Sequence, residues 1–116
     1  MKAKGSGEII IMGSEASIVG KKKASLYSAA KFGLRGFAQS IRDECGNSGV
    51  RVCLINPGFV RTPFFDSLNF EPGKDENNAI EPGDIAKIVC DIIETRKGTL
   101  IDEINVSPAS KTIIFK

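Results

Sequence analysis

Two short apolar runs with a helical period between them constrain this chain more than any other feature. EIIIM, from Glu8 to Met12, has glycines on both sides. Such a run reads as a strand buried on both faces, as in a parallel sheet. From about Ser25 the pattern changes. Leu26, Ala29, Ala30, Gly33, Leu34, Phe37, Ala38 and Ile41 recur at steps of three and four, the period of an amphipathic helix. GNSG at 46–49 ends it, since Gly and Asn serve well just past a helix C-terminus. VRVCLINPG then supplies a second buried strand through Val50, Val52, Leu54 and Ile55, and Pro57-Gly58 stops it.

The rest of the chain continues the alternation. Arg61 to Ile80 reads as irregular, with Phe64, Phe65 and Phe70 among polar residues. Loops of that length often bind or cover ligands. A helix begins near Pro82, a residue tolerated in a first turn. Its apolar stripe is Ile85, Ile88, Val89, Ile92 and Ile93, with Gly98 after it. TLIDEINV reads as a third strand. Strand, helix, strand, loop, helix, strand predicts an α/β fold, with parallel strands joined by right-handed crossovers. The 116 residues, with no internal repeat or linker, read as one small domain, 1–116.

Composition narrows the chemistry. The chain is 41% apolar and 26% charged, and its net charge of +2 is too small to imply a nucleic-acid or membrane partner. Lys21, Lys22 and Lys23 form an isolated basic run, expected to be a solvated loop. No apolar stretch is long enough to span a bilayer, and MKAKGSGEIIIMGS lacks the apolar region of a secretion signal. Cys45, Cys53 and Cys90 are odd in number and show no metal-ligand spacing. The absence of histidine excludes a His-based triad or a His-ligated metal within this chain. No metal site is expected, and a cytoplasmic location is.

SLYSAAKFGLRGF contains the only tyrosine. Tyr27 and Lys31 lie four apart, so a helix projects them from one face. A cation beside a phenol favours the phenolate, and a general acid/base works best with a pKa near the working pH. Alone, the pair is equally a helix-edge tyrosine beside a solvated lysine. Ser14 directly follows the first strand, thirteen positions before Tyr27. Pro57-Gly58 and Thr62 lie at the same end of the second strand. Ligands of open α/β sheets sit beyond the carboxyl ends of their strands, so three features point to one edge.

At these residues the chain closely resembles the short-chain dehydrogenase/reductase family. The matching pieces are IIIMGSEAS, YSAAK, LINPGFVRTPF and the tail IDEINVSP. The combination of serine, Tyr-x-x-x-Lys and Pro-Gly-x-Val-x-Thr is far more specific than any one element. The resemblance spans essentially all of this chain and about half of the family's domain. It implies the C-terminal half of a Rossmann-like, doubly wound parallel sheet. The family's glycine-rich pyrophosphate turn, and an upstream helix asparagine of its catalytic set, are expected to lie before Met1. GSGE leads into a strand and reads as a loop, and MKAKGSG as the end of the preceding helix.

The resemblance also implies roles. Tyr27 would be the acid or base on the substrate's carbonyl or hydroxyl oxygen. Ser14 would hydrogen-bond that oxygen, against the alternative of capping a loop. Lys31 would bind the nicotinamide ribose, beside Tyr27, and lower the phenol pKa. Pro57, Gly58, Val60 and Thr62 would line the nicotinamide side. Phe64, Phe65 and Phe70 either cover an apolar substrate or pack the loop down. The small residues Ala29, Ala30, Gly33 and Gly36 suit close packing on the sheet or a subunit interface.

The expected protein is therefore an oxidoreductase using NAD or NADP on a small alcohol or ketone, as a homo-oligomer. The competing expectation is a non-catalytic remnant that serves as an assembly or binding module. A different nucleotide-binding α/β domain fits the serine, tyrosine and lysine spacing less well.

Overall fold

The computed structural model describes all residues, 1–116. Strand β1 covers Gly7–Met12, helix α1 Ser25–Cys45 and strand β2 Val50–Pro57. After them come a short strand β3 at Phe70–Pro72, helix α2 at Pro82–Glu94, strand β4 at Glu103–Val106 and strand β5 at Ile113–Phe115. β1, β2 and β4 form one parallel sheet in that spatial order. β3 and β5 pair antiparallel as a separate two-stranded ribbon.

The boundaries follow local chemistry. Gly46 closes α1 with φ +49°, and its N–H returns to Arg42 O. At the start of α2, Pro82 occupies the first turn and the Asp84 carboxylate accepts from the Glu81 N–H at 3.0 Å. Arg51 secures the other end of α2. Its guanidinium pairs with Glu8 and donates to the carbonyls of Thr95, Arg96 and Thr99. A cation there also opposes the negative end of the helix dipole.

β2 is the centre of the molecule. Cys53 and Ile55 face α2 and pack with Ile92, joined by Ile10, Ile88, Val89, Ile104 and Val106. Val52, Leu54 and Asn56 point the other way, by strand alternation. On that face Arg35 of α1 forms a two-pronged ion pair with Glu103, and Arg42 donates to Val52 O. The helices thus cover opposite faces of the three-stranded sheet.

That placement corrects one expectation. The chain steps the same way across the sheet twice, from β1 to β2 to β4. Crossovers that step the same way with helices on opposite faces cannot share a hand, so they are not both right-handed. The handedness rule rests on a strand feeding directly into its helix. Here the long connection 58–81 carries the chain to the far face before α2 begins.

Other differences are smaller. EIIIM is not buried on both faces: β1 is the sheet edge, Ile9, Ile10 and Ile11 are half-buried, and Met12 is 43% exposed. TLIDEINV contributes only Glu103–Val106 to the sheet. The irregular segment contains β3 and single turns at Pro63–Phe65 and Glu76–Asn78. MKAKGSG holds one helical turn, Lys2–Lys4, ending at Gly5. The Cα radius of gyration is 15.9 Å, above the roughly 13 Å of a compact domain of about 100 residues. No helix is long and apolar enough to cross a membrane.

Candidate active site

Three segments meet beyond the carboxyl ends of β1 and β2. The first follows β1. Ser14 is buried and begins a single helical turn, Glu15–Ser17. Its Oγ accepts from the Ala16 N–H at 3.2 Å, and its own N–H donates to Ser17 Oγ at 3.0 Å. Ser14 therefore does cap a loop. Capping uses the hydroxyl only as an acceptor, so its O–H proton stays available to a substrate oxygen.

The reason a glycine precedes Ser14 lies in β2. A Cβ on Gly13 would run into the Asn56 amide oxygen and come within 2.8 Å of Ser17 Oγ. Asn56 is 1% exposed, and its amide nitrogen donates to Glu103 Oε1 at 2.8 Å and Asn105 Oδ1 at 3.0 Å. Its own oxygen has no partner. Arg35 binds the same Glu103 carboxylate. One polar chain thus links α1 to β4 and β2 beneath the site.

The second segment is the first turns of α1. Tyr27 is 41% exposed, and the Lys31 ammonium lies 5.6 Å from the centre of its ring. The i, i+4 spacing does bring them together, with the cation over the ring face. Lys31 belongs to none of the ion pairs. The basic loop before the helix is held by the Lys21 N–H donating to Ser28 Oγ at 3.1 Å.

The third segment follows β2. Pro57 is buried and pairs with Val106. The Gly58 N–H donates to Val106 O at 2.8 Å, so that amide is committed to the sheet. A Cβ on Gly58 would lie 3.2 Å from Pro108 Cδ and 3.3 Å from Glu15 Oε2. Close approach at Gly58 is thus made by the chain itself. Val60 bridges to Ile80. Thr62 is exposed and caps the Pro63–Phe65 turn, its Oγ1 accepting from the Phe64 N–H at 3.3 Å.

The aromatic residues divide. Phe65 is 6% exposed and packs against Phe59 and Phe70, with ring centres 5.2 and 5.9 Å away. Phe70 also lies against Phe59. Those rings hold the loop down. Phe64 is 58% exposed, and its ring centre lies 6.3 Å from that of Tyr27. It alone faces the tyrosine.

Two residues at the site, Glu15 and Lys111, carry no role assigned from the sequence. Glu15 pairs with Lys21 at 3.5 Å and with Lys111 at 3.0 Å. Lys111 also stands 4.6 Å from the centre of the Phe59 ring. Glu15 could have been suspected from its place beside Ser14. Lys111 lies 96 positions from Glu15 and carries no local signal.

Comparisons with known proteins give the family and the fold. A family model of short chain dehydrogenases matches residues 1–72. A 3-oxoacyl-[acyl-carrier-protein] reductase of Synechocystis sp. is 40% identical over 67 residues, 58% of this chain and 27% of that protein. An uncharacterized oxidoreductase of Staphylococcus saprophyticus is 31% identical over 103 residues, 89% of this chain and 42% of that protein. An alcohol dehydrogenase from the archaeon Thermococcus sibiricus, solved with 5-hydroxy-NADP, superposes with a TM-score of 0.78 at 24% identity. That match covers 96% of this chain and 46% of the other. The chain spans less than half the length of each of these relatives.

Proposed function

This chain belongs to the short-chain dehydrogenase family, and from that premise we propose that it carries the catalytic, C-terminal half of an NAD(P)-dependent oxidoreductase. The observation that supports the reading is the meeting of Tyr27 and Lys31 on one helix face with Phe64 across from them. The substrate is a small alcohol or ketone whose oxygen lies between Ser14 and Tyr27. The Tyr27 hydroxyl gives its proton to the carbonyl oxygen during reduction, leaving a phenolate, and that phenolate takes the proton from the alcohol during oxidation. Ser14 donates its O–H to the same oxygen and stabilises the charge that develops there.

The residues fit one end of a nicotinamide cofactor. Lys31 has no carboxylate partner and is free for a ribose hydroxyl, and the exposed Thr62 hydroxyl suits the carboxamide or a phosphate. Pro57, Gly58 and Val60 would line the nicotinamide side. When bound, the nicotinamide supplies or accepts the hydride. Structural neighbours were solved with NADP+ and with 5-hydroxy-NADP, and the cofactor proposed for this chain is NAD or NADP.

The glycine-rich turn for the pyrophosphate would come from a separate half of the domain. The open outer edge of β1 is where a strand of that half would pair. The same edge supports self-association of the chain.

Tyr27→Phe tests the reading in the protein assembled with its cofactor-binding half. The ring stays and the hydroxyl goes, so turnover should fall by about 10²–10⁴-fold with cofactor affinity nearly unchanged. Retention of most activity would sink the role of Tyr27. Lys31→Ala should damage both cofactor affinity and rate, and no effect on either would return Lys31 to a solvated surface side chain.

A further inference from the structure

The tail beyond β4 supplies none of the residues assigned to the chemistry above, yet it is fastened all round the aromatic loop. The Ser110 N–H donates to Asn77 O at 2.8 Å. The Asn78 amide donates to Ser110 O at 2.8 Å and to Thr112 Oγ1 at 3.2 Å. β5 lies along β3, with Phe115 opposite Phe70 and Ile113 opposite Pro72. Lys116 Nζ donates to Phe65 O at 2.8 Å. Lys111 reaches the other way, to Glu15 and over the Phe59 ring.

These contacts converge on one object. Phe59, Phe65 and Phe70 are a single packed cluster, and Phe64 stands edge-on to Phe65 with ring centres 5.2 Å apart. Glu15 directly follows Ser14. The tail therefore grips the loop that carries Phe64 and, through Lys111, the residue next to Ser14.

We infer that Ser107 to Lys116 is a strap that sets the position of Phe64 over Tyr27, and that Lys111 is the positioning residue keying the strap to the Ser14 side of the site. Its bearing on substrate rests on the roles given above to Ser14 and Tyr27. The strap then fixes the width of an apolar slot for the group attached to the reacting carbon. The Lys111 and Glu15 side chains are 38% and 29% exposed, so their pairing adds little stability, and its effect is on position.

One tyrosine and no tryptophan make the test clean, because Tyr27 emission and ring protons report the site without interference. It is made on the 116-residue chain as it purifies. Lys111→Met and Glu15→Gln should weaken the Tyr27–Phe64 ring cross-peak in nuclear Overhauser spectra. They should raise acrylamide quenching of Tyr27 above that of a ring already 41% exposed, with a thermal midpoint close to wild type, since an exposed pair adds little stability. Lys116→Met, which frees the Phe65 carbonyl, should act in the same direction. Lys74→Met removes an exposed pair with Glu71 in the same loop and should leave both signals unchanged.

Wild-type signals in Lys111→Met, Glu15→Gln and Lys116→Met together would overturn the strap. These readouts need no turnover. A strap-dependent Tyr27 signal in an assembled protein that reduces no carbonyl with NADH or NADPH would keep the strap and remove the proposed activity. Turnover on large and small ketones with KM and kcat both indifferent to Lys111→Met would keep the activity and remove the strap.

Discussion

β1 and β2 read alike in sequence and end up in different surroundings. Both are short apolar runs bounded by turn residues. β2 has a strand on each side and a helix on each face, and Val52, Leu54 and Ile55 are at most 1% exposed. β1 has one strand beside it, and its isoleucines remain half-buried. The contrast is sharpest across one rung, where half-buried Ile10 is the register partner of Cys53, which is 2% exposed. The apolar character of a strand reports how many covering layers suit it. Its burial reports how many layers are present.

Truncation gives the largest test of that difference. Ile55→Ala should cost about 2–5 kcal/mol, since it leaves a cavity among side chains that cannot close over it. Ile10→Ala should cost less than about half as much, because its side chain already keeps part of its contact with water. Urea unfolding of the two variants measures both. Equal losses would break the comparison. An Ile10→Ala cost that climbs towards that of Ile55→Ala in a longer polypeptide would show a further layer covering β1.

The same distinction explains what could be read before the structure. α1 was legible from end to end, because its period and GNSG act within a few residues. β2 was legible because an interior strand is apolar on both faces. The Tyr27–Lys31 pairing was legible because a helix fixes i and i+4. The edge position of β1 was not, since a run such as EIIIM is the same whether or not a neighbour is there. β5 was invisible for another reason. It has only three residues, Ile113–Phe115, and it is held by β3 and Lys116, neither of which marks the local sequence. The division among Phe64, Phe65 and Phe70 depends on packing that no spacing rule encodes.

A smaller effect concerns the thiol at the centre of β2. Burial holds the Cys53 thiol above its usual range; Arg42 pulls it down, while Asp102, Glu8 and Glu103 add to the rise. An unfolded cysteine titrates near about 8.5. The folded group titrates higher, so its contribution to stability is complete below that value and is lost as pH rises through the folded pKa. Stability should therefore decline on the alkaline side, and Cys53→Ala should decline less steeply. Alkylation offers a direct contrast in a Cys45→Ser, Cys90→Ser background. Cys53 should react only when the chain opens, whereas Ile10→Cys, on the same rung, should react without global unfolding. Comparable rates would mean that β1 is as well covered as β2.

The smallest effect is confined to alternate residues of one strand. In a parallel ladder each residue directs its N–H and C=O to one side, and its neighbours direct theirs to the other. The Gly13 N–H donates to Ile55 O at 2.7 Å, so the odd-numbered residues of β1 face β2. Glu8, Ile10 and Met12 then direct their backbone groups outward. In dilute chain, the amides of Ile9 and Ile11 should resist hydrogen exchange while those of Glu8, Ile10 and Met12 exchange freely. An open apolar edge of this kind recruits another strand. If two copies pair through it, the outward amides should gain protection as concentration rises, in step with a larger sedimentation coefficient. If a strand of a cofactor-binding half covers it, they should be protected in the longer protein at every concentration. Protection of the outward amides in a dilute monomer would mean that the edge is already satisfied, and the contrast between β1 and β2 would have to be abandoned.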